Sequence, residues 1–396
     1  MKANPGGAVS PENVMGRDRL IERLWATLKH QSLVLVAERR MGKTCIIKKM
    51  EAQPPDGTMI RVRDVGGVSS PIEFVERVAE DVEKHLNLFQ KTATKTKELW
   101  AALGGTQILG VKLPTTAALH WKALLERILG DLAQHSDRPV ILCWDELPWM
   151  LQKMTARPEG ETVVMDLLDT LRGLRQTHAN LRMIYTGSIG LHHVVTALRE
   201  EGYVNSPVND MRTVEVPPLD DGHAEALAKA LIQGEGLTSS ALDETAAIIA
   251  KRVDAIPFYI HHVVAAMADR GQAATPEIAE AIVAEAIANA QDWDLEHFRS
   301  RLGAYYGERA EVVRALLDQL AETEPLILDE LHERLKFNLS RLGASAQRMV
   351  EGDREALRTL LKLMQRDHYL RQDRDGGYRF RFGLIRRWWR LDQGLA

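Results

Sequence analysis

The stretch SLVLVAERRMGKTCIIKKM, residues 32–50, decides how the rest of the chain is read. It begins as a β-branched apolar run, breaks at a charged turn and resumes as a basic helix, so a buried strand feeds directly into a helix. The turn Ala37-Glu38-Arg39-Arg40-Met41-Gly42-Lys43-Thr44 fits the pattern G-x-x-x-x-G-K-S/T in that strand–loop–helix setting. Backbone N–H groups of residues 40–44, together with the helix N-terminus, are expected to hold phosphates, and Gly42 leaves room for their close approach. Lys43 is expected to reach the β- and γ-phosphates of ATP, and the Thr44 hydroxyl to ligate Mg²⁺. The expected phosphate-binding set is therefore Arg40, Met41, Gly42, Lys43, Thr44 and Cys45. Ala37 stands where the pattern has its first glycine, which is tolerable only if that residue keeps a negative φ. Arg39 and Arg40 read as ion-pair partners rather than catalysts.

Outward from this loop, strands alternate with helices. Strand signals lie at TMIRVRDV (58–65), PVILCWDE (139–146), LRMIYTGS (181–188) and TVEVPPL (213–219), with helical patterns at 71–88, 116–135, 162–178 and 191–201. Such alternation predicts a parallel sheet with helices on both faces. Active groups of such sheets collect at the carboxyl ends of the strands. Asp145 and Glu146 stand at one of those ends. Asp145 is expected to hold the metal-bound water, and Glu146 to orient and deprotonate the attacking water. After Pro218 the pattern turns helical: alanine-rich helices over 220–300 with breaks at GEGLTSS and DAIPF, then further helices over 305–367. The end, DHYLRQDRDGGYRFRF (367–382), reads as two short strands around an Asp-Gly-Gly turn.

Composition sets the outer bounds. A chain of 396 residues implies two or three domains. An apolar share of 45% and a charged share of 27% are those of an ordinary soluble protein. No apolar run approaches the roughly 18 residues of a membrane span, so no membrane is expected as a partner. The two cysteines, Cys45 and Cys143, are spaced like neither a disulfide framework nor a metal site, which fits a reducing cytoplasm. The opening residues lack the apolar segment of a secretion signal, and 1–12 are expected to form a flexible tail. His192-His193 and His261-His262 have no cysteine or acid at metal spacing. Trp149, Trp388 and Trp389 are expected as packing groups, and 71–135 as an additional helical segment beside the site. The net charge of −4 conceals a basic end, since Arg354–Arg390 carries eleven Arg and Lys against four acids, a local charge of about +7.

The RRMGKT loop and the WDE and YTGS strand ends resemble prokaryotic AAA+-related ATPases of the "archaeal ATPase" group, close to the STAND signalling NTPases and the origin-recognition initiators. Gly16-Arg17 followed by Leu24 is similar to the G-R-x-x-E-x-x-x-L segment that borders adenine in such families, without its acid. Asp254-Ala255-Ile256-Pro257 is similar to the G-x-P of their helical lid, with alanine for glycine. The resemblance spans about residues 14–300 and adds Gly16, Arg17 and Pro257 to the expected nucleotide contacts. It implies an α/β P-loop NTPase core with a parallel sheet (13–218), a helical lid (219–300) and a C-terminal winged helix-turn-helix domain (301–396). It also implies that Thr186 or Ser188 senses the γ-phosphate, and that Arg212 reaches a nucleotide, either its own or that of a neighbour in a homo-oligomer.

Helices followed by a hairpin resemble a winged helix, in which one helix enters the major groove and the wing touches phosphates. The implied partner is double-stranded DNA, contacted by Arg358, Lys362, Arg366, Arg374 and Arg379. The function so implied is a slow ATPase (ATP and water to ADP and phosphate) that couples nucleotide state to DNA binding. The alternative is a STAND-like signalling or phage-defence ATPase whose winged domain binds a protein partner.

Overall fold

A computed structural model describes residues 1–7, 9–86, 120–136, 138–289, 293–352 and 354–395. It contains five strands in one sheet: β1 (Leu33–Val36), β2 (Met59–Asp64), β3 (Val140–Asp145), β4 (Leu181–Tyr185) and β5 (Arg212–Glu215). Their order is β2-β3-β4-β1-β5, and each neighbouring pair is parallel. The sheet is the one expected. Every residue of β3 is buried, which is why its sequence runs apolar without alternation before ending in acids. The last strand stops at Glu215, just before Pro217 and Pro218, which have no N–H to continue the ladder.

The chain forms two compact units. One comprises residues 10–37 and 43–216. On one face of its sheet the helices Pro71–Leu86, Trp121–His135 and Gly160–Thr177 bury Phe74, Leu125, Leu129, Leu167 and Leu171 in a core that includes Trp144 and Tyr185. Phe74 meets Trp144 edge-on at 5.0 Å, and Trp144 stacks on Tyr185 at 5.9 Å. The buried Arg175 donates to Tyr185 Oη (2.6 Å), the Pro207 carbonyl (2.6 Å) and both oxygens of Asp210 (2.8 and 2.9 Å), so this interior charge is fully paired. Much of the additional segment expected at 71–135 lies outside the described residues.

The other unit comprises residues 1–9, 38–42 and 217–396. Four helices, Asp221–Gly234, Leu242–Arg252, Pro257–Asp269 and Pro276–Ala288, are followed by His297–Tyr306, Ala310–Glu322, Leu328–Phe337, Ala344–Glu351 and Arg354–Arg366. Asp220 and Thr275 cap two of them by accepting the N–H groups of His223 (3.0 Å) and Ile278 (3.4 Å). The expected hairpin is present as β6 (Leu370–Gln372) antiparallel to β7 (Tyr378–Phe380), and its turn contains Gly376 at φ 85°. The last helix, Gly383–Asp392, buries Trp388 and Trp389, and the indole of Trp389 donates to Asp318 at 2.8 Å.

Among the opening residues the Ala3 N–H donates to Glu235 (2.7 Å), at the end of one helix, and the Asn4 N–H to His261 Nδ1 (3.1 Å) on another. One expectation is corrected. Trp149 is not a packing group but 42% exposed, turned out from the helix Leu147–Thr155.

Candidate functional site

The carboxyl ends of β1 and β3 carry the residues that matter. From Val36 the chain passes through the loop 37–42 into the helix Lys43–Ala52. Within the loop Arg40 (φ 74°) and Gly42 (φ 85°) take left-handed conformations, while Ala37 does not, so the glycine missing at position 37 is not needed there. Alternating conformations of this kind turn successive N–H groups toward one side, the arrangement that makes an anion-binding hollow. Lys43 is only 8% exposed, and its ammonium donates to the Ala37 carbonyl at 2.9 Å across the loop.

Opposite the helix start, the Thr44 hydroxyl donates to Asp145 Oδ2 at 2.6 Å. β3 and β1 are separated in the sheet by β4, so this bond spans the sheet's carboxyl edge. Burial pushes the Asp145 carboxyl up from its usual range; the Thr44 hydrogen bond pulls it down, and the charges of Glu146 and Asp64 push it further up. A carboxylate in that position favours a cation. A hydroxyl and a carboxylate side by side are hard oxygen donors of the type Mg²⁺ prefers, so these two residues fit that metal.

Glu146 leaves the strand in a left-handed conformation (φ 60°), and its N–H donates to Asp145 Oδ1 at 3.1 Å. Its Oε2 accepts both the N–H (2.9 Å) and the hydroxyl (2.7 Å) of Ser188. Oε1 makes no hydrogen bond among the described residues. Thr186, between them at the end of β4, is 1% exposed, and its hydroxyl has no hydrogen-bond partner among the described residues. A buried hydroxyl without a partner is uncommon and suits a site completed by a ligand or its water. Hydrogen bonds thus link Thr44, Asp145, Glu146 and Ser188, with Lys43 next to Thr44 in the chain and Thr186 at the end of the neighbouring strand.

Arg212 does not join them. It is exposed and opens β5, paired with Leu33 at the start of β1, whereas Glu215 pairs with Val36 beside the loop. Three residues of strand, roughly 10 Å, therefore separate it from the level of the loop. Gly16 (φ 68°) and the buried Arg17 lead into the helix Asp18–Leu28, and Lys49 fastens this segment by donating to the Val14 carbonyl (2.9 Å) and Asp18 (2.7 Å). Met41 is buried and Cys45 half-buried.

In the other unit, Pro257 opens the helix Pro257–Asp269, preceded by Asp254 and Ala255 with φ of 51° and 55°. A glycine would be unstrained at position 255, which is where the related pattern has one. Asp254 has a second task, since its Oδ2 accepts the Leu384 N–H at 2.6 Å and caps the final helix. Arg40 lies over the Phe258 ring at 3.7 Å and pairs with Asp294 (3.2 Å), as does Arg39 (3.5 Å). At the basic end, Arg358, Lys362 and Arg366 are exposed along one side of Arg354–Arg366, opposite the buried Leu357, Leu360, Leu361 and Met364. Arg358 pairs with Glu355, and Arg379 with Asp373 at 2.5 Å. Lys362, Arg366 and the exposed turn residue Arg374 have no ion-pair partner among the described residues.

No protein-family model matches this chain, and no curated protein sequence does. Solved structures do. The Walker-type ATPase of Pyrococcus abyssi matches with a TM-score of 0.60 and 15% identity over 96% of this chain and 97% of its own. The ORC2 protein of Aeropyrum pernix, in its ADPNP–ADP complexes, matches with a TM-score of 0.52 and 12% identity over 98% of this chain and 94% of its own. The fold is that of a P-loop ATPase. At such identities the likeness is one of fold, and the arrangement of Lys43, Thr44, Asp145 and Glu146 stands on its own geometry. No helix among the described residues is long and apolar enough to cross a membrane.

Proposed function

We propose that this chain is an ATP-binding and ATP-hydrolysing switch of the AAA+/STAND type. The observation that carries the reading is the 2.6 Å contact between Thr44 and Asp145 across the sheet, with Glu146 next to it and Lys43 at the loop. Lys43 exchanges its carbonyl partner for the β- and γ-phosphates, and the N–H groups of the loop take the remaining charge. Thr44 and Asp145 would hold Mg²⁺, which when bound would neutralise charge developing on the phosphate oxygens. Ser188 immobilises one oxygen of Glu146, so the other is left to accept a proton from water. Thr186, with its unpartnered hydroxyl, is placed to read what occupies the space. The exposed edge position of Arg212 suits a contact with the nucleotide of a neighbouring copy, in a homo-oligomer.

In this reading 13–218 is the ATPase core, 219–300 the lid to which Pro257 belongs, and 301–396 a winged helix-turn-helix domain. Lys362, Arg366 and Arg374, exposed and without an ion-pair partner among the described residues, favour contact with the phosphates of double-stranded DNA, with Arg358 and Arg379 in support. The pairing of Arg358 with Glu355 and of Arg379 with Asp373 favours a second reading, a signalling ATPase whose winged domain meets a protein. Titration of a fluorescent ATP analogue against wild type and Lys43→Ala tests the core of the proposal. We expect affinity to fall at least tenfold, as a phosphate charge loses its cation. Equal affinity would remove the loop from the phosphate site.

A further inference from the structure

Glu38 occupies a position where the phosphate-loop pattern allows any residue, yet it is buried at 5% exposure. Its two oxygens accept from both Nη atoms of Arg301 (2.9 and 2.8 Å), a bidentate pair. Oε1 also accepts the Arg39 N–H at 2.8 Å, so the carboxylate shapes the loop backbone itself. The ring of His297 lies 3.6 Å away. Burial alone would push this carboxyl up, but Arg301 and His297 overcome it and hold it well below the usual range.

Arg301 is the hub. Its Nε donates to Tyr369 Oη (2.8 Å) and its Nη2 to the Asp367 carbonyl (3.2 Å), and its guanidinium lies 4.5 Å from the Tyr369 ring centre and 4.7 Å from that of Phe298. Tyr369 Oη donates in turn to the Phe298 carbonyl at 2.6 Å, and Tyr369 immediately precedes β6. Arg39 and Arg40 reach the same region by pairing with Asp294. Three successive loop side chains, 38, 39 and 40, therefore hold the segment 294–301, and through Arg301 the base of the hairpin.

A buried ion pair adds little net stability over an apolar pair of the same volume, so stability is a weak reason to place one in a phosphate loop. A carboxylate beside bound phosphates would also repel them unless its charge were answered. Resting on the assignment of residues 37–44 to nucleotide binding, we propose that Glu38 and Arg301 form a strut that transmits occupancy of the loop to the helix His297–Tyr306 and to the hairpin base at 367–372. Glu38 is a positioning residue in this device. A phosphate that shifts the Arg39 backbone must move the carboxylate bonded to it, and with it Arg301 and Tyr369.

Hydrogen–deuterium exchange of the full chain tests the strut, with and without saturating non-hydrolysable ATP analogue. In the wild type, nucleotide should slow exchange at 294–306 and 367–372 at least threefold. In Glu38→Gln/Arg301→Met, which removes both charges and leaves no unpaired ion, bound nucleotide should leave these segments within 1.5-fold of their free rates. Arg301→Lys, which keeps the charge but loses the bidentate bond, should fall between, and it serves where the double variant does not fold. A purely structural role would lower the melting temperature of the variants yet preserve the response. A full response in variants with nucleotide bound, or none in the wild type with nucleotide bound, overturns the strut. Lys43→Ala binding nucleotide as tightly as wild type would instead overturn the assignment of the loop.

Discussion

At the carboxyl edge of the sheet, Thr44, Asp145, Glu146 and Ser188 are linked in a chain of hydrogen bonds that runs from the exposed Thr44 to the buried Asp145, with the neighbouring Thr186 hydroxyl left over. Along Arg354–Arg366 the cations stand in solvent at helical spacing, and Lys362 and Arg366 have no ionic partner among the described residues. Mutual bonding fixes directions and suits one small ligand whose atoms must be placed to a fraction of an ångström. Separated cations make a field, which suits a long polyanion and tolerates changes of register. The same chain thus uses charge in two ways, and mutations should separate them by size and by kind of effect.

The largest effect is expected from Glu146→Gln. Single-turnover hydrolysis should slow roughly 10²-fold or more while ATP affinity stays near wild type, because an amide keeps the shape but accepts no proton. A wild-type rate would move the base elsewhere and break the contrast at its stronger end. Ser188→Ala removes one of two bonds to Glu146 Oε2, and a hydrogen bond to a charged group is worth about 1.5–3 kcal/mol. Turnover should therefore fall about tenfold or somewhat more, with affinity unchanged; a loss of affinity instead would make Ser188 a ligand contact and not an orienting one.

The basic face should respond by degrees. Arg358→Glu/Lys362→Glu should lower the salt dependence of binding to a generic duplex by about two units in slope, as each phosphate contact contributes about 0.9. Its ATPase rate should be unchanged. An unaltered slope would favour the protein-partner reading. A smaller effect still is expected on stability, since Arg358 and Glu355 form an exposed pair of a kind worth well under about 1 kcal/mol.

These differences follow what the sequence could say. The sheet was legible because β3 runs apolar from Val140 to Trp144 before its terminal acid and β1 runs into a glycine-lysine-threonine turn, signals that depend only on near neighbours. Asp145, Glu146, Thr186 and Ser188 were legible because strand ends of a parallel sheet share one edge. Arg212 stands at the start of its strand, and the register with Leu33 puts it at the edge away from the loop. The pairing of Glu38 with Arg301 spans 263 positions and follows no periodicity, so no local pattern could carry it. The cap that Asp254 gives to Leu384 was hidden likewise, behind a lid motif that already explained the residue.

The central claim is that Thr44 and Asp145 form the metal end of an ATP site, and the Mg²⁺ dependence of ATP affinity tests it most directly. Titrations in Mg²⁺ and in EDTA should give the wild type a clear gain in affinity with the metal. Thr44→Val keeps the size and loses the hydroxyl, so its affinity in EDTA should match wild type while the gain from Mg²⁺ falls about tenfold or more. A gain equal to that of the wild type would contradict the account.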